Sequence, residues 1–235
     1  MIVAYAATRN LYPWLVPTIT SLLEHNDVEA IYLIVEDDHV PDLPEANYTI
    51  INVAGQTVFD ESCPNINTQY TYMAMMRALY ADLIPEDRVI SLDVDTIICD
   101  SLEPIWNMDM TGMWMAAAVE HLAQYKPFGP NQNYYNVGVA VFNLEEMRKD
   151  SAPRLLTSLL YARKLPCIEQ DALNYYTVFP RKVVELPVRF NESVVTGITM
   201  NPAIVHFAGF PDWMANERIP RREFLTKYIP PVTKK

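Results

Sequence analysis

Short apolar runs separated by polar turns set the layout of this chain. Ile2–Ala6 is apolar throughout. A helical pattern follows from about Pro13 to His25, with Pro13 and Pro17 near its start, where a missing N–H is tolerated. Ala30–Val35 and Tyr48–Val53 read as the next strands, the first of them ending in Glu36-Asp37-Asp38. Thr68–Asp82 has helical spacing, and Tyr72, Met75, Met76 and Leu79 fall on one stripe that reads as core filling. Arg88–Leu92 is a strand that runs directly into Asp93. Further strands are expected at Trp114–Val119, Tyr135–Asn143, Lys182–Leu186 and Ala203–Phe207, and helices at Leu144–Lys149, Ser151–Ala162 and Gln170–Phe179. From Pro211 the pattern turns irregular, and Pro230-Pro231 with Lys234-Lys235 predicts a frayed end. Strands alternating with helices predict an α/β fold whose central sheet is largely parallel. Ligands of such sheets sit outside the carboxyl ends of the strands. Asp93 lies at such an end.

No repeat or low-complexity linker divides the 235 residues, so one domain is expected over 1–213, followed by a C-terminal extension over 214–235. Half of the residues are hydrophobic, enough to bury a core without disulfides. The formal charge of -11 argues against a nucleic-acid partner, whose binding surface is normally basic. It also makes an anionic substrate awkward unless a cation is recruited locally. Cys63, Cys99 and Cys167 are far apart and read as reduced thiols. The apolar opening lacks a basic leader, and no apolar run approaches the roughly 20 residues that span a bilayer. A cytoplasmic protein without a transmembrane segment is therefore expected, and the sequons at Asn47 and Asn191 read as chance matches.

The six glycines are all isolated, so neither a dinucleotide-binding fingerprint nor a P-loop is present. A nucleotide diphosphate bound here would need a metal ion to meet its charge. Asp93-Val94-Asp95 supplies two carboxylates that can project from one side of a strand end, a donor set suited to Mg²⁺ or Mn²⁺. On pattern alone the pair reads equally as a metal site and as two more acids in a chain that has 29. His206, near the end of the apolar run Ala203–Phe207, reads alone as a core histidine. As a third ligand it favours Mn²⁺, since imidazole suits transition metals.

The stretch Arg88-Val-Ile-Ser-Leu-Asp-Val-Asp-Thr-Ile-Ile-Cys-Asp-Ser-Leu-Glu-Pro-Ile-Trp106 closely resembles the metal-binding segment of family 8 glycosyltransferases. That family includes glycogenin and bacterial lipooligosaccharide galactosyltransferases. Four other segments fit in order. Tyr5-Ala-Ala-Thr-Arg-Asn10 is similar to the family's first strand and nucleotide loop, and Tyr135-Asn-Val-Gly-Val-Ala-Val-Phe-Asn143 to its "FNAG" strand. Glu169-Gln-Asp-Ala-Leu-Asn174 is similar to its "DQDILN" helix start, and His206-Phe-Ala-Gly209 to its "HxxG" loop. Together they reach to about residue 213.

The resemblance implies a GT-A fold, a single α/β domain with a mixed, mostly parallel sheet flanked by helices. It also implies transfer of a hexose from a UDP-sugar, with retention, to a glycan, protein or lipid acceptor. Residue by residue, Thr8 and Asn10 contact the uridine and Ala6 lines its site. Asp93, Asp95 and His206 bind Mn²⁺, with Mg²⁺ as the alternative, and the backbone at Val94 approaches the ribose. Arg77 reaches the donor sugar and diphosphate, Asn136 and Gly138 border the sugar, and Gly209 belongs to the phosphate loop. On residues alone, Arg77 reads as a solvated helix arginine and Gly138 as a strand bulge.

Gln170 occupies the position under the sugar's β face, and Glu169 stands where the family usually has Asp. An amide is a poor nucleophile, so Gln170 is expected to orient groups or stabilise charge, which favours front-face transfer over a covalent intermediate. Two departures stand out. Asp212 falls near the family's diphosphate-binding lysine, with Arg218, Arg221 or Arg222 as candidate substitutes, and Thr8 replaces an aspartate of the first loop. A catalytically silent nucleotide-sugar-binding protein and a nucleotidyltransferase are the alternatives. The loop His121–Asn133, with Tyr125, Lys126, Phe128 and the adjoining Tyr134, reads either as a cover for the donor or acceptor or as an ordinary surface loop.

Overall fold

A computed structural model describes residues 1–66, 68, 70–120, 129, 132–195, 197 and 199–229. Its strands are β1 (Ile2–Ala6), β2 (Ala30–Val35), β3 (Tyr48–Asn52), β4 (Arg88–Leu92), β5 (Thr96–Ile98), β6 (Met115–Val119), β7 (Tyr135–Asn143), β8 (Val183–Glu185), β9 (Glu192–Ser193) and β10 (Ile204–His206). A seven-stranded sheet has the order β3-β2-β1-β4-β7-β6-β8. The β1, β2, β3, β4 run is parallel, β7 is antiparallel to both β4 and β6, and β8 is parallel to β6. The sheet is thus mixed and mostly parallel. β2 is buried along its whole length and β4 over all but its first residue, which explains their continuous apolar runs.

The helices are α1 (Tyr12–His25), α2 (Tyr72–Met75), α3 (Tyr80–Leu83), α4 (Glu103–Trp106), α5 (Leu144–Lys149), α6 (Ala152–Ala162) and α7 (Ile168–Val178). Alternate strand residues face opposite sides of the sheet. Val3, Tyr5, Ile31 and Leu33 pack with Leu15, Ile19 and Leu22 of α1. Ala4, Tyr32 and Ile34 share the other core with Met73, Met75, Leu156, Leu160 and Leu173 from α2, α6 and α7. The three cysteines are free thiols. Among the described residues no helix is long and apolar enough to cross a membrane.

The helix expected over Thr68–Asp82 starts only at Tyr72 and narrows to a 3-10 turn over Met76–Leu79 between α2 and α3. Thr68 Oγ1 accepts a bond from the Tyr70 N–H at 3.1 Å, a local turn that competes with helix initiation. The helix expected from Gln170 begins at Ile168 instead, so Glu169 and Gln170 occupy its first turn. A second sheet, ordered β5-β10-β9, has strands of only two or three residues, too short to show periodicity.

After Pro211 the chain is irregular, as its sequence suggests, yet it is packed. Trp213 is fully buried, with its ring stacked on Phe207 at 5.1 Å and edge-on to Trp14 at 5.6 Å. Ile219, Leu225 and Ile229 join the same cluster with Ile97 and Val205 of the small sheet. The residues expected to fray, 230–235, lie outside the described residues, as do 121–128, 130 and 131 of the loop before β7. Trp213→Ala removes the shared ring of this cluster. It is expected to lower stability by about 3–5 kcal/mol in urea unfolding, whereas a loss below about 1 kcal/mol indicates a segment that is not docked in solution.

Candidate metal and donor site

The turn after β4 is held from three directions. The Asp93 N–H donates to the Gly138 carbonyl at 2.7 Å. Thr96 Oγ1 donates to the Asp93 carbonyl at 2.8 Å and lies 3.0 Å from Thr18 Oγ1 on α1. The Asp95 carbonyl accepts from the Phe207 N–H at 2.8 Å, just past the end of β10. Val94 is buried between the two acids and anchors the turn in the core. Antiparallel pairing of β10 with β5 sets His206 opposite Thr96, and so beside both carboxylates.

His206 Nε2 is 3.3 Å from Asp95 Oδ1 and 3.6 Å from Asp93 Oδ2. One ligand atom from each of the three residues lies within 4.8 Å of the other two. His206 Nδ1 is 2.9 Å from Asn191 Oδ1, while Asn191 Nδ2 donates to Asn136 Oδ1 at 2.9 Å. This network assigns the Nδ1 proton to the Asn191 bond and turns Nε2 to the carboxylates, the usual outer support of a metal-bound histidine. Burial disfavours a charge on His206, but Asp95 and Asp93 outweigh it and raise its pKa. The cluster therefore draws positive charge to itself. A buried, oriented imidazole with two carboxylates open to a cleft fits a divalent cation.

Gly138 explains how these groups come so close. A Cβ there would stand 2.2 Å from His206 Cε1 and 2.6 Å from Asp93 Oδ2. It also sits at the irregularity where β6 pairing skips from Ala140 to Asn136, so the bulge and the site coincide. Gly138 thus lies behind the ligands rather than on the cleft wall.

Arg77 is buried beside the cluster, not solvated. It donates to Asp93 Oδ1 through Nη2 and to Glu169 Oε1 through Nη1, the latter at 2.7 Å. Burial works against its charge, yet Asp93 and Glu169 hold its pKa above the ordinary arginine value. Glu169 Oε2 is buried without a partner among the described residues. Burial pushes the Glu169 carboxyl up to about 7; Arg77 pulls the other way and the Asp93 charge adds to the rise. Gln170 is held at both ends, accepting from the Val137 N–H and donating to the Tyr134 hydroxyl, each at 3.0 Å.

A cleft of about 590 Å³ lies over these groups. Asp93, Val94, Asp95, His206 and Arg77 line it, together with Asn136, Glu169, Gln170, Ala6, Thr8 and Gly209. Asn10 is exposed next to it, and its Oδ1 accepts from Thr8 Oγ1 at 2.6 Å. The candidate replacements for the family's lysine do not reach the cleft. Arg221 bonds Glu192 and Thr199, Arg222 bonds the Met214 carbonyl, and Arg218 is exposed. Asp212 is also exposed and off the cleft wall. Among the described residues Arg77 is the one arginine or lysine of the lining. Two residues that the sequence did not single out as site residues belong here. Glu120, at the end of β6, accepts from Asn136 at 2.7 Å, and Asn191 orients His206. Neither carries a spacing signal, and Asn191 stood out only as a sequon.

A mixed sheet with an Asp-x-Asp turn at the carboxyl end of a central strand defines the GT-A class of glycosyltransferases. The chain belongs to glycosyl transferase family 8, whose sequence profile matches residues 2–214. It is 24% identical over 199 residues to the glycosyltransferase GlyA of Streptococcus pneumoniae serotype 4, covering 82% of this chain and 28% of GlyA. The chain spans only 28% and 34% of the length of two curated relatives that it matches. Among solved structures, the galactosyltransferase LgtC, determined with donor and acceptor sugar analogs, superposes with a TM-score of 0.72 at 19% identity, covering 93% of this chain and 91% of LgtC. Mouse xyloside xylosyltransferase 1 gives 0.63 at 16% identity, covering 88% and 97%.

Gly138→Ala forces a methyl group into His206 and Asp93. It is expected to lower stability by about 1–3 kcal/mol and to abolish divalent-cation binding at these three residues in calorimetric titration. Retained binding would mean that these groups do not form the site. The folded state keeps a proton on Glu169 that the unfolded chain releases near its ordinary 4.5. Stability from this group is therefore full below pH 4.5 and is lost as pH rises through about 7. In Glu169→Gln that decline should vanish from urea midpoints measured across this range, and an unchanged decline assigns it to another group.

Proposed function

We propose that this chain transfers a hexose from a UDP-sugar to a hydroxyl acceptor with retention of the anomeric configuration, using Mn²⁺ held by Asp93, Asp95 and His206. The observation that carries this reading is the carboxylate–carboxylate–imidazole cluster on the cleft wall, beside Arg77. When bound, the ion supplies the positive charge that a diphosphate needs as it departs, a charge that the lining itself largely lacks. The imidazole favours Mn²⁺ over Ca²⁺, with Mg²⁺ as the alternative.

The chain's own groups then have these roles. Thr8, Ala6 and the neighbouring Asn10 receive the uridine, with Val94 against the ribose. Gly209, with no side chain, lets the backbone approach the phosphates. Asn136 borders the sugar from the bulge that Gly138 makes possible. Glu169 stands at the cleft wall beside the sugar, and Arg77 bridges it to Asp93. Gln170 presents its carbonyl dipole to the anomeric centre as positive charge develops there. The acceptor oxygen bonds to the anomeric carbon on the face from which the phosphate oxygen leaves. The departing phosphate takes the hydroxyl proton, so no protein base is consumed. Asp212 is exposed and outside the cleft lining, so it adds no charge there, and a silent nucleotide-sugar-binding protein is the alternative that the same experiment addresses.

Thermal unfolding with Mn²⁺ alone, UDP alone and both together tests this proposal. A rise that requires both, about 2.7 kcal/mol at 100-fold over the dissociation constant, is expected, with its loss in Asp93→Ala and in Asp95→Ala. A rise with UDP that is indifferent to chelator and to both substitutions would sink it.

A further inference from the structure

The segment that follows the family-matched residues contributes to the site. We infer that Arg221 is a positioning residue that keeps His206 in its ligand orientation, acting through Glu192 and Asn191. The link to metal rests on the proposed function, whereas the effect on the imidazole stands without it.

Among the described residues β9 is an edge strand of two residues, paired with β10 through Val205↔Glu192 and His206↔Ser193. So short a strand has little ladder of its own to hold it. Its first residue, Glu192, is wholly buried, and its neighbours on either side serve the site. Asn191 holds His206 Nδ1, and Ser193 lines the cleft. The Glu192 carboxylate accepts from the Thr199 N–H at 2.9 and 3.1 Å and from Arg221 Nη2 at 2.7 Å. The same Nη2 donates to the Thr199 carbonyl at 2.6 Å. Arg221 takes a left-handed backbone conformation, φ 63°, between the buried side chains of Ile219 and Leu225. The packed C-terminal segment thereby fixes the base of the guanidinium.

Removing one partner of a buried ion pair leaves a charge with no compensation, and the structure relieves it by letting that charge reach water. For Glu192 this means displacing β9, and with it Asn191. His206 then loses the acceptor that selects its tautomer. A neutral glutamine at 192 does not need the arginine, because its amide can accept from the Thr199 N–H and donate to the Thr199 carbonyl.

The test uses the full chain without metal, reading imidazole ¹⁵N shifts by NMR, with His206 assigned through His206→Gln. Read above the pH at which the metal-free imidazole gives up its second proton, the native protein is expected to show His206 as the single Nδ1–H tautomer, and Arg221→Met a mixture of tautomers. Titration with Mn²⁺ alone, followed by the electron paramagnetic resonance of the free ion, should show affinity weakened about ten- to a hundredfold in Arg221→Met. The double variant Arg221→Met, Glu192→Gln should recover both the tautomer and the affinity, including where Arg221→Met alone does not fold. An unchanged His206 spectrum in Arg221→Met overturns the inference, as does a double variant that is unfolded or keeps the mixture. Native protein that binds no Mn²⁺ refutes the metal reading, while the imidazole signals still decide the role of Arg221.

Discussion

Negative charge gathered on a turn that burial prevents from relaxing is the constraint around which this molecule is arranged. Asp93 and Asp95 cannot swing apart, because Val94 between them is buried and the backbone on both sides is bonded into neighbouring strands. Their charge must be met where they stand. Arg77 meets part of it from behind, on the Oδ1 side of Asp93. Asp93 Oδ2, Asp95 Oδ1 and His206 Nε2 face one another on the open side. A group that can titrate responds to the unmet charge, which is why the His206 pKa rises in spite of burial. The same site that destabilises the free protein is what makes a divalent cation favourable there.

Much of this was legible in the sequence, and the reason is local. An apolar run ending abruptly in Asp-x-Asp needs only β4 to be a central strand for both acids to reach a ligand-binding edge, and β4 is central. Long elements such as α1, β2 and β7 were visible because their apolar positions repeat over enough residues to define a period. The supporting parts were not visible. Asn191 reaches His206 only through the parallel pairing of β9 with β10, and Glu120 meets Asn136 only across the β6–β7 pair. Such contacts depend on register between distant segments, and a single asparagine or glutamate carries no register. Arg77 illustrates the same limit. Its place on a helical stripe gave surface exposure as the default, yet two carboxylates brought in from β4 and α7 make burial tolerable.

The fate of the C-terminal cations bears directly on how a diphosphate would be held. Resemblance to the family called for a lysine near residue 212, and the nearby arginines looked like replacements. None lines the cleft: Arg221 neutralises a buried carboxylate, Arg222 caps a carbonyl, and Arg218 is exposed. The residue that does turn inward in this region is Trp213, which fills the core between Phe207 and Trp14. This aromatic packing fixes the loop after His206. Under the proposed function, donor affinity then leans on the bound ion, on Arg77 and on backbone N–H groups near Gly209. Metal-free nucleotide binding should accordingly be weak for an electrostatic reason: among the described residues the lining presents Asp93, Asp95, Glu120 and Glu169 against one arginine, and an added diphosphate would meet repulsion before it met a partner.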